Sequence, residues 1–324
     1  MLGALAWQAR GQTLVRAGYD DPSTVRIAPG QVVTLSFAGL KTVVPGGIQR
    51  ATTTPLPLSL AGISATLRQT LPESVKSLPV FSVKQFNRCA GSAVSADCLI
   101  TALTIQIPFE ITVPNPFLGS AIPTGNTTIA ISENGNMSRE FTVYPVPDQV
   151  HVLTSCDVNG SAIGTGVCFP LVTHDDGSLV QQALRAADAT PLTASEAHPG
   201  EVLTMYLYGL GTVTPAISAG DVTPVPAPVT SAPVTLRFDY QINAAPSVPP
   251  GLPAGAPPPA APPFAGLAPN QIGVYQINFV VPPVPPGTPS CGYPVNSNLT
   301  ISVSLDRAGA SSTFDGAAIC VTPQ

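Results

Sequence analysis

The sequence predicts an all-β protein made of two tandem antiparallel β-sandwich domains, and three observations carry that expectation: a composition hostile to helices, a duplicated strand pattern, and cysteines that fall into pairs. A typical domain of roughly 150 residues makes 324 residues a two-domain length. Only 10% of residues are charged, against roughly 25% in an ordinary soluble domain. Lysine occurs only at Lys41, Lys76 and Lys84, too few to cover helix faces. The 38 Pro and 28 Gly punctuate helices rather than extend them, so short runs of Val, Ile, Thr and Leu between turns read as strands.

The duplication is the stronger signal. Residues 28–40 (APGQVVTLSFAGL) recur as residues 198–210 (HPGEVLTMYLYGL), 170 positions on. Residues 103–108 are echoed by 275–280, and residues 126–132 by 298–304, both at a displacement of 172. Three collinear matches at nearly constant offset imply one unit copied. Within it Val33, Leu35 and Phe37, like Leu203, Met205 and Leu207, alternate with polar or small residues, the period of a half-buried strand. Asn134-Gly135 between alternating runs marks a hairpin, because both central positions of a type I′ turn need φ > 0. Its counterpart turn is expected at residues 306–309, so each unit should end in a hairpin. The units are drawn at 13–147 and 148–324. Proline-rich stretches at 222–233 and 246–263 are expected to be extended loops rather than inner strands. The single helix candidate, residues 177–187, reads as a hairpin arm or one turn of helix.

The six cysteines group as Cys89 with Cys98, Cys156 with Cys168, and Cys291 with Cys320. An even count in a charge-poor β chain favours disulfides formed in an oxidising compartment. Zinc is the competing reading, but the chain has no C-x-x-C, and no His lies close in sequence to four of the six. Six cysteines permit 15 connectivities, and the nearest-neighbour set is the preferred one. Residues 1–12 resemble the end of an apolar leader running into a small-residue cleavage site, and a truncated signal-peptide remnant is the reading adopted, with a frayed terminus as the alternative.

The net charge of −5 and the scattered arginines leave no basic stripe for a phosphate backbone, which argues against a nucleic-acid partner. No window holds the 18 or so consecutive apolar residues of a transmembrane helix. No Gly-x-Ser-x-Gly elbow, Walker loop or dinucleotide fingerprint is present. Of the three histidines, His198 precedes a Pro-Gly turn, His151 has only Asp148 as an acidic neighbour in sequence, and His174 is followed by Asp175-Asp176-Gly177. Asp175 and Asp176 are a weak calcium candidate, with Asp157 and Asn159 as further oxygen ligands, but Asp-Gly is also an ordinary hairpin turn. Asn126, Asn136, Asn159 and Asn298 stand in glycosylation sequons.

Residues 198–215, 230–236 and 264–279, with their Tyr-Gly-Leu-Gly run, Ala-Gly-Leu-Ala-Pro turn and Tyr-Gln-Ile-Asn strand, resemble the Solibacter-type C-terminal domain family of exported acidobacterial proteins. The resemblance covers roughly residues 150–324 well and the first unit less closely. It implies an immunoglobulin-like sandwich, a bacterial source and export, and it supplies no catalytic residues. The chain departs from the usual pattern in its proline-rich insertion and its cysteines. The expectation is therefore a secreted or cell-surface, non-enzymatic structural, adhesive or assembly module without cofactor. Its partners would be another protein, an envelope matrix or further copies of itself. A carbohydrate-binding module is the alternative, with Tyr206 and Tyr208 as an exposed platform and Tyr240, Tyr275 and Tyr293 as further aromatics; a hydrolase ranks third.

Overall fold

The computed structural model describes residues 25–87, 98–113, 126–159, 168–180, 195–246, 257–292, 294–306 and 314–322, together with the strand at 13–17. The first half contributes β1 (Thr13–Ala17), β2 (Arg26–Ile27), β3 (Val32–Ala38), β4 (Ile48–Arg50), β5 (Ser59–Leu60) and β6 (Ile63–Thr70). It continues with β7 (Glu73–Ser77), β8 (Val80–Asn87), β9 (Leu99–Gln106), β10 (Thr127–Glu133) and β11 (Asn136–Pro145). The second half begins with β12 (His151–Val152), the short helix α1 (Ser155–Asn159), β13 (Val172–Thr173), β14 (Val202–Tyr208), β15 (Val213–Thr214) and β16 (Val229–Thr230). It closes with β17 (Val234–Asp239), β18 (Phe264–Leu267), β19 (Tyr275–Val280), β20 (Leu299–Leu305) and β21 (Phe314–Ile319). The chain is all-β, with several antiparallel sheets.

Strand pairing repeats in the two halves. One sheet of the first half runs β1-β3-β9-β8-β4 and the other β2-β11-β10-β6-β5, with β7 also on β6. In the second half the order β12-β14-β19-β18 faces the set β17-β20-β21. Taking β3, β6, β8, β9, β10 and β11 as the six shared strands, their counterparts in chain order are β14, β17, β18, β19, β20 and β21. In each copy the first pairs with the fourth, the fourth with the third, and the second with the fifth, which pairs with the sixth. That is the immunoglobulin order. Even the parallel touch of the entering chain on the last strand recurs, as β2 on β11 and as the bridge Ala197 to Val321.

The copies differ in register. Val33 faces Ile105 across β3 and β9, so the sequence match would set Leu203 opposite Ile277. Leu203 instead faces Phe279. A two-residue slip keeps every side chain on its original face, which is why both copies retain their inward pattern. In the first half Leu35, Phe37, Leu103 and Ile105 of one sheet meet Ile63, Leu67, Ile129 and Ile131 of the other in one buried cluster. Each such side chain contributes about 1.5–3 kcal/mol by leaving water. Ring pairs span the layers as well: Phe37 with Phe141 at 5.9 Å, and Phe238 with Phe279 at 6.1 Å.

The turn between β10 and β11 has the expected geometry, with φ of 50° at Asn134 and 81° at Gly135. β20 and β21 form the matching terminal hairpin, and its expected turn at 306–309 falls mostly outside the described residues. So do most of the helix candidate at 177–187 and the leader segment 1–12. Sequence patterning missed α1, which is only one turn and a half long. Proline-rich 222–233 is not wholly loop: Val229 pairs with both Thr214 and Gly266. The paired residues are non-prolines, so the missing proline N–H groups are never asked to donate. In the second stretch Ala260, between Pro259 and Pro262, exchanges both backbone hydrogen bonds with Leu236 and so covers part of the edge of β17.

By contacts the chain separates into two compact units, the first centred on Val32–Pro145 and the second on Val146–Ser218 with Val222–Gln324. The short pieces Ala28–Gln31 and Ala219–Asp221 group with the second and first unit respectively.

Candidate functional site

An open, polar pocket of about 510 Å³ lies in the second unit, lined by His174, Asp176, Ser195, Glu196, His198 and Glu201, among others. Local sequence builds its walls. β13 runs into a tight turn in which His174 N–H donates to Ser178 O at 2.9 Å and Gly177 N–H to His174 O at 3.1 Å. Asp176 Oδ1 accepts from the Ser178 amide and hydroxyl at 2.9 and 2.6 Å, and these bonds lower its pKa. On the opposite wall the Pro199-Gly200 turn feeds β14. Glu201 Oε2 accepts from the His198 amide at 2.9 Å, as Gln31 Oε1 accepts from Ala28 at 2.8 Å in the first copy of the motif.

Inside the pocket three residues stand in the order nucleophile, base, orienting acid. Ser195 Oγ is 3.0 Å from His174 Nε2, and His174 Nδ1 is 2.5 Å from Glu201 Oε1. A third contact decides what this arrangement can do. The backbone carbonyl of Ser195 also lies 3.1 Å from Nε2, and because a carbonyl only accepts, a protonated Nε2 can donate to it as well as to Ser195 Oγ. When both ring nitrogens are protonated, Nδ1 donates to Glu201 and Nε2 to Ser195, and the ring is an imidazolium. Burial works against that charge, but the hydrogen bonds to Glu201 and Ser195, with the attraction of Glu201 and Asp176, raise the His174 pKa above its ordinary value. A doubly protonated ring cannot take a proton from serine. In either protonation state these contacts join residues 174, 195 and 201.

A second histidine is clamped in the same manner. His151 Nε2 is 3.3 Å from Asp157 Oδ2, and Nδ1 is 3.4 Å from Asp315 Oδ2. Burial disfavours its charge, yet the hydrogen bonds and attraction of the two carboxylates raise its pKa to about 9. Asp157, opposed by burial, falls to about 2 through His151 and Thr154. Asp157 also accepts from the Thr154 amide at 2.8 Å at the start of α1, a capping-box contact, while Asp315 accepts from the Val152 amide at 2.8 Å. Both carboxylates thus hold backbone. Sequence reading gave His151 only Asp148; Asp315 lies 164 residues away and carries no local signal.

Cys156 is bonded to Cys168 and Cys291 to Cys320; Cys98 is also disulfide-bonded, while Cys89 falls outside the described residues. The Cys291 bridge clamps the hairpin β20–β21. These bonds fit an oxidising compartment, and among the described residues no helix is long and apolar enough to cross a membrane. Tyr206 and Tyr208 do share the outward face of β14, but both are half-buried. Strands β12 and β13 cover that edge, with His151 directly opposite Tyr208. Burial and the Asp157 charge push the Tyr208 phenol up to about 12. Tyr240 donates to Pro282 O at 2.7 Å, and buried Tyr275 donates to Gly211 O; Tyr293 lies outside the described residues.

Asp175 and Asp176 are exposed turn residues, and Asp157 is committed to His151 and Thr154. Among the described residues the three metal-capable groups that do converge are Glu196, Cys291 and Cys320. Of the sequons, Asn126 and Asn136 are exposed and Asn298 is fully buried. No family model matches the chain, and no curated protein matches it.

Proposed function

We propose that the protein is an exported bacterial module without catalytic activity, acting through protein contacts at the cell surface or outside the cell. The observation that supports this reading is the contact of His174 Nε2 with the Ser195 carbonyl, which together with the raised pKa favours a charged ring holding backbone over a base for Ser195. The disulfides support export, and the Solibacter-type resemblance points the same way. Its residues, the Tyr-Gly-Leu run at the end of β14 and the Tyr-Gln-Ile-Asn run of β19, form adjacent paired strands of the second unit.

Purified, oxidised protein incubated with cell-envelope fractions tests the reading. Saturable, protease-sensitive retention is expected, and light scattering shows whether copies associate. A monomer that no envelope fraction retains contradicts it, as does labelling of Ser195 by a fluorophosphonate probe.

A further inference from the structure

We infer that the Cys291–Cys320 bridge masks a divalent-metal site that opens when the bridge is reduced. The two sulfurs and a carboxylate oxygen of Glu196 all lie within 4.8 Å of one another, although Glu196 is 95 residues from Cys291. The Cα atoms of the two cysteines are 5.9 Å apart, so the sulfurs can separate to the spacing of two ligands on one ion without moving either strand. Two thiolates and one carboxylate are a zinc-type donor set, which leaves a fourth position open. Glu196 lines the polar pocket, so that position faces water. Thr322 Oγ1 donates to Glu196 Oε2 at 3.3 Å, orienting the carboxylate as an outer partner does in metal centres. Cys291 is half-buried and Cys320 buried, which makes Cys291 the sulfur open to attack.

The chemistry balances with a dithiol as reductant. Its thiolate attacks the Cys291 sulfur and expels Cys320 as a thiolate; its second thiol then releases Cys291 and closes to the cyclic disulfide. Zinc binding to the two freed thiols displaces two protons. In the reduced chain the ion would hold the β20–β21 hairpin where the bridge holds it in the oxidised one.

Cobalt(II) is the probe, because thiolate ligation gives an intense near-ultraviolet charge-transfer band. Full-length protein reduced anaerobically with a dithiol, freed of it by gel filtration and titrated with Co²⁺ should show such a band, absent from the oxidised protein. Cys291→Ser should lose at least half of its intensity. Glu196→Gln keeps every thiol, and it should bind at least about tenfold more weakly, since even outer partners are worth 10–100-fold. An unchanged oxidised melting temperature shows that this variant folds. No band on reduction, or identical titrations of wild type and Glu196→Gln, overturns the inference.

Discussion

His174 Nδ1 and Glu201 Oε1 are 2.5 Å apart, and the ring's other nitrogen faces the Ser195 carbonyl. The pair ties the turn after β13 to the start of β14, and its strength depends on the ring's charge. Because the folded pKa of His174 is raised from 6.5, the stability it supplies is complete below the unfolded value and fades as pH rises through the folded one. Glu201→Gln should therefore lower stability by about 1.5–3 kcal/mol near pH 5.5. Urea midpoints of wild type and variant should converge as the medium becomes alkaline. A difference that grows with pH contradicts a charged pairing of His174 with Glu201.

The clamp on His151 has a defined pH window. With its pKa raised to about 9 and that of Asp157 lowered to about 2, their ion pair stabilises fully between pH ~4 and ~6.5, the ordinary values of the two groups. It is lost as pH climbs through 9 on one side and as it falls through 2 on the other. In wild type minus His151→Gln, stability measured by urea unfolding should fall by about 2–3 kcal/mol between pH 6 and 10. A flat difference curve rejects the clamp.

Asn298 occupies a sequon yet cannot carry a glycan in the folded protein. Its Nδ2 donates to Pro289 O at 2.9 Å and Val321 O at 2.7 Å, while Oδ1 accepts from the Val321 amide at 2.8 Å. Asn298→Ala strands these buried groups and should cost about 2–4 kcal/mol; Asn126→Ala, at an exposed site, should stay within about 0.5 kcal/mol. Peptide mapping after expression in a glycosylating host should find Asn298 unmodified in folded material.

Gly209 ends β14 with φ of 76°, and a Cβ there would sit 2.0 Å from the Gln149 carbonyl oxygen. Neither backbone can yield cheaply, so Gly209→Ala should destabilise by more than about 2 kcal/mol in urea melts. An Ala variant as stable as wild type contradicts the close approach.

What the sequence revealed was what short-range pattern encodes. Period-two alternation located β3, β10, β14 and β20, Asn134-Gly135 located the first terminal hairpin, and the repeat offset matched equivalent strands. It missed α1 and two-residue strands such as β13 and β16, because pairing partners rather than composition make them. The register slip between β14 and β19 was hidden for a related reason: a shift of two residues leaves the inward pattern intact. The latches were least visible. Glu201 is 27 residues from His174, and Asp315 is 164 from His151, so only the fold brings them together. Tyr206 and Tyr208 show the converse, since alternation places them outward but the strands covering that edge come from elsewhere in the chain.

The account rests on a chain closed by disulfides in an oxidising compartment. Alkylation under denaturing, non-reducing conditions, read by intact mass on protein isolated from its source, tests that claim directly. None of the six cysteines should gain the alkyl mass; six alkylated cysteines would contradict the account.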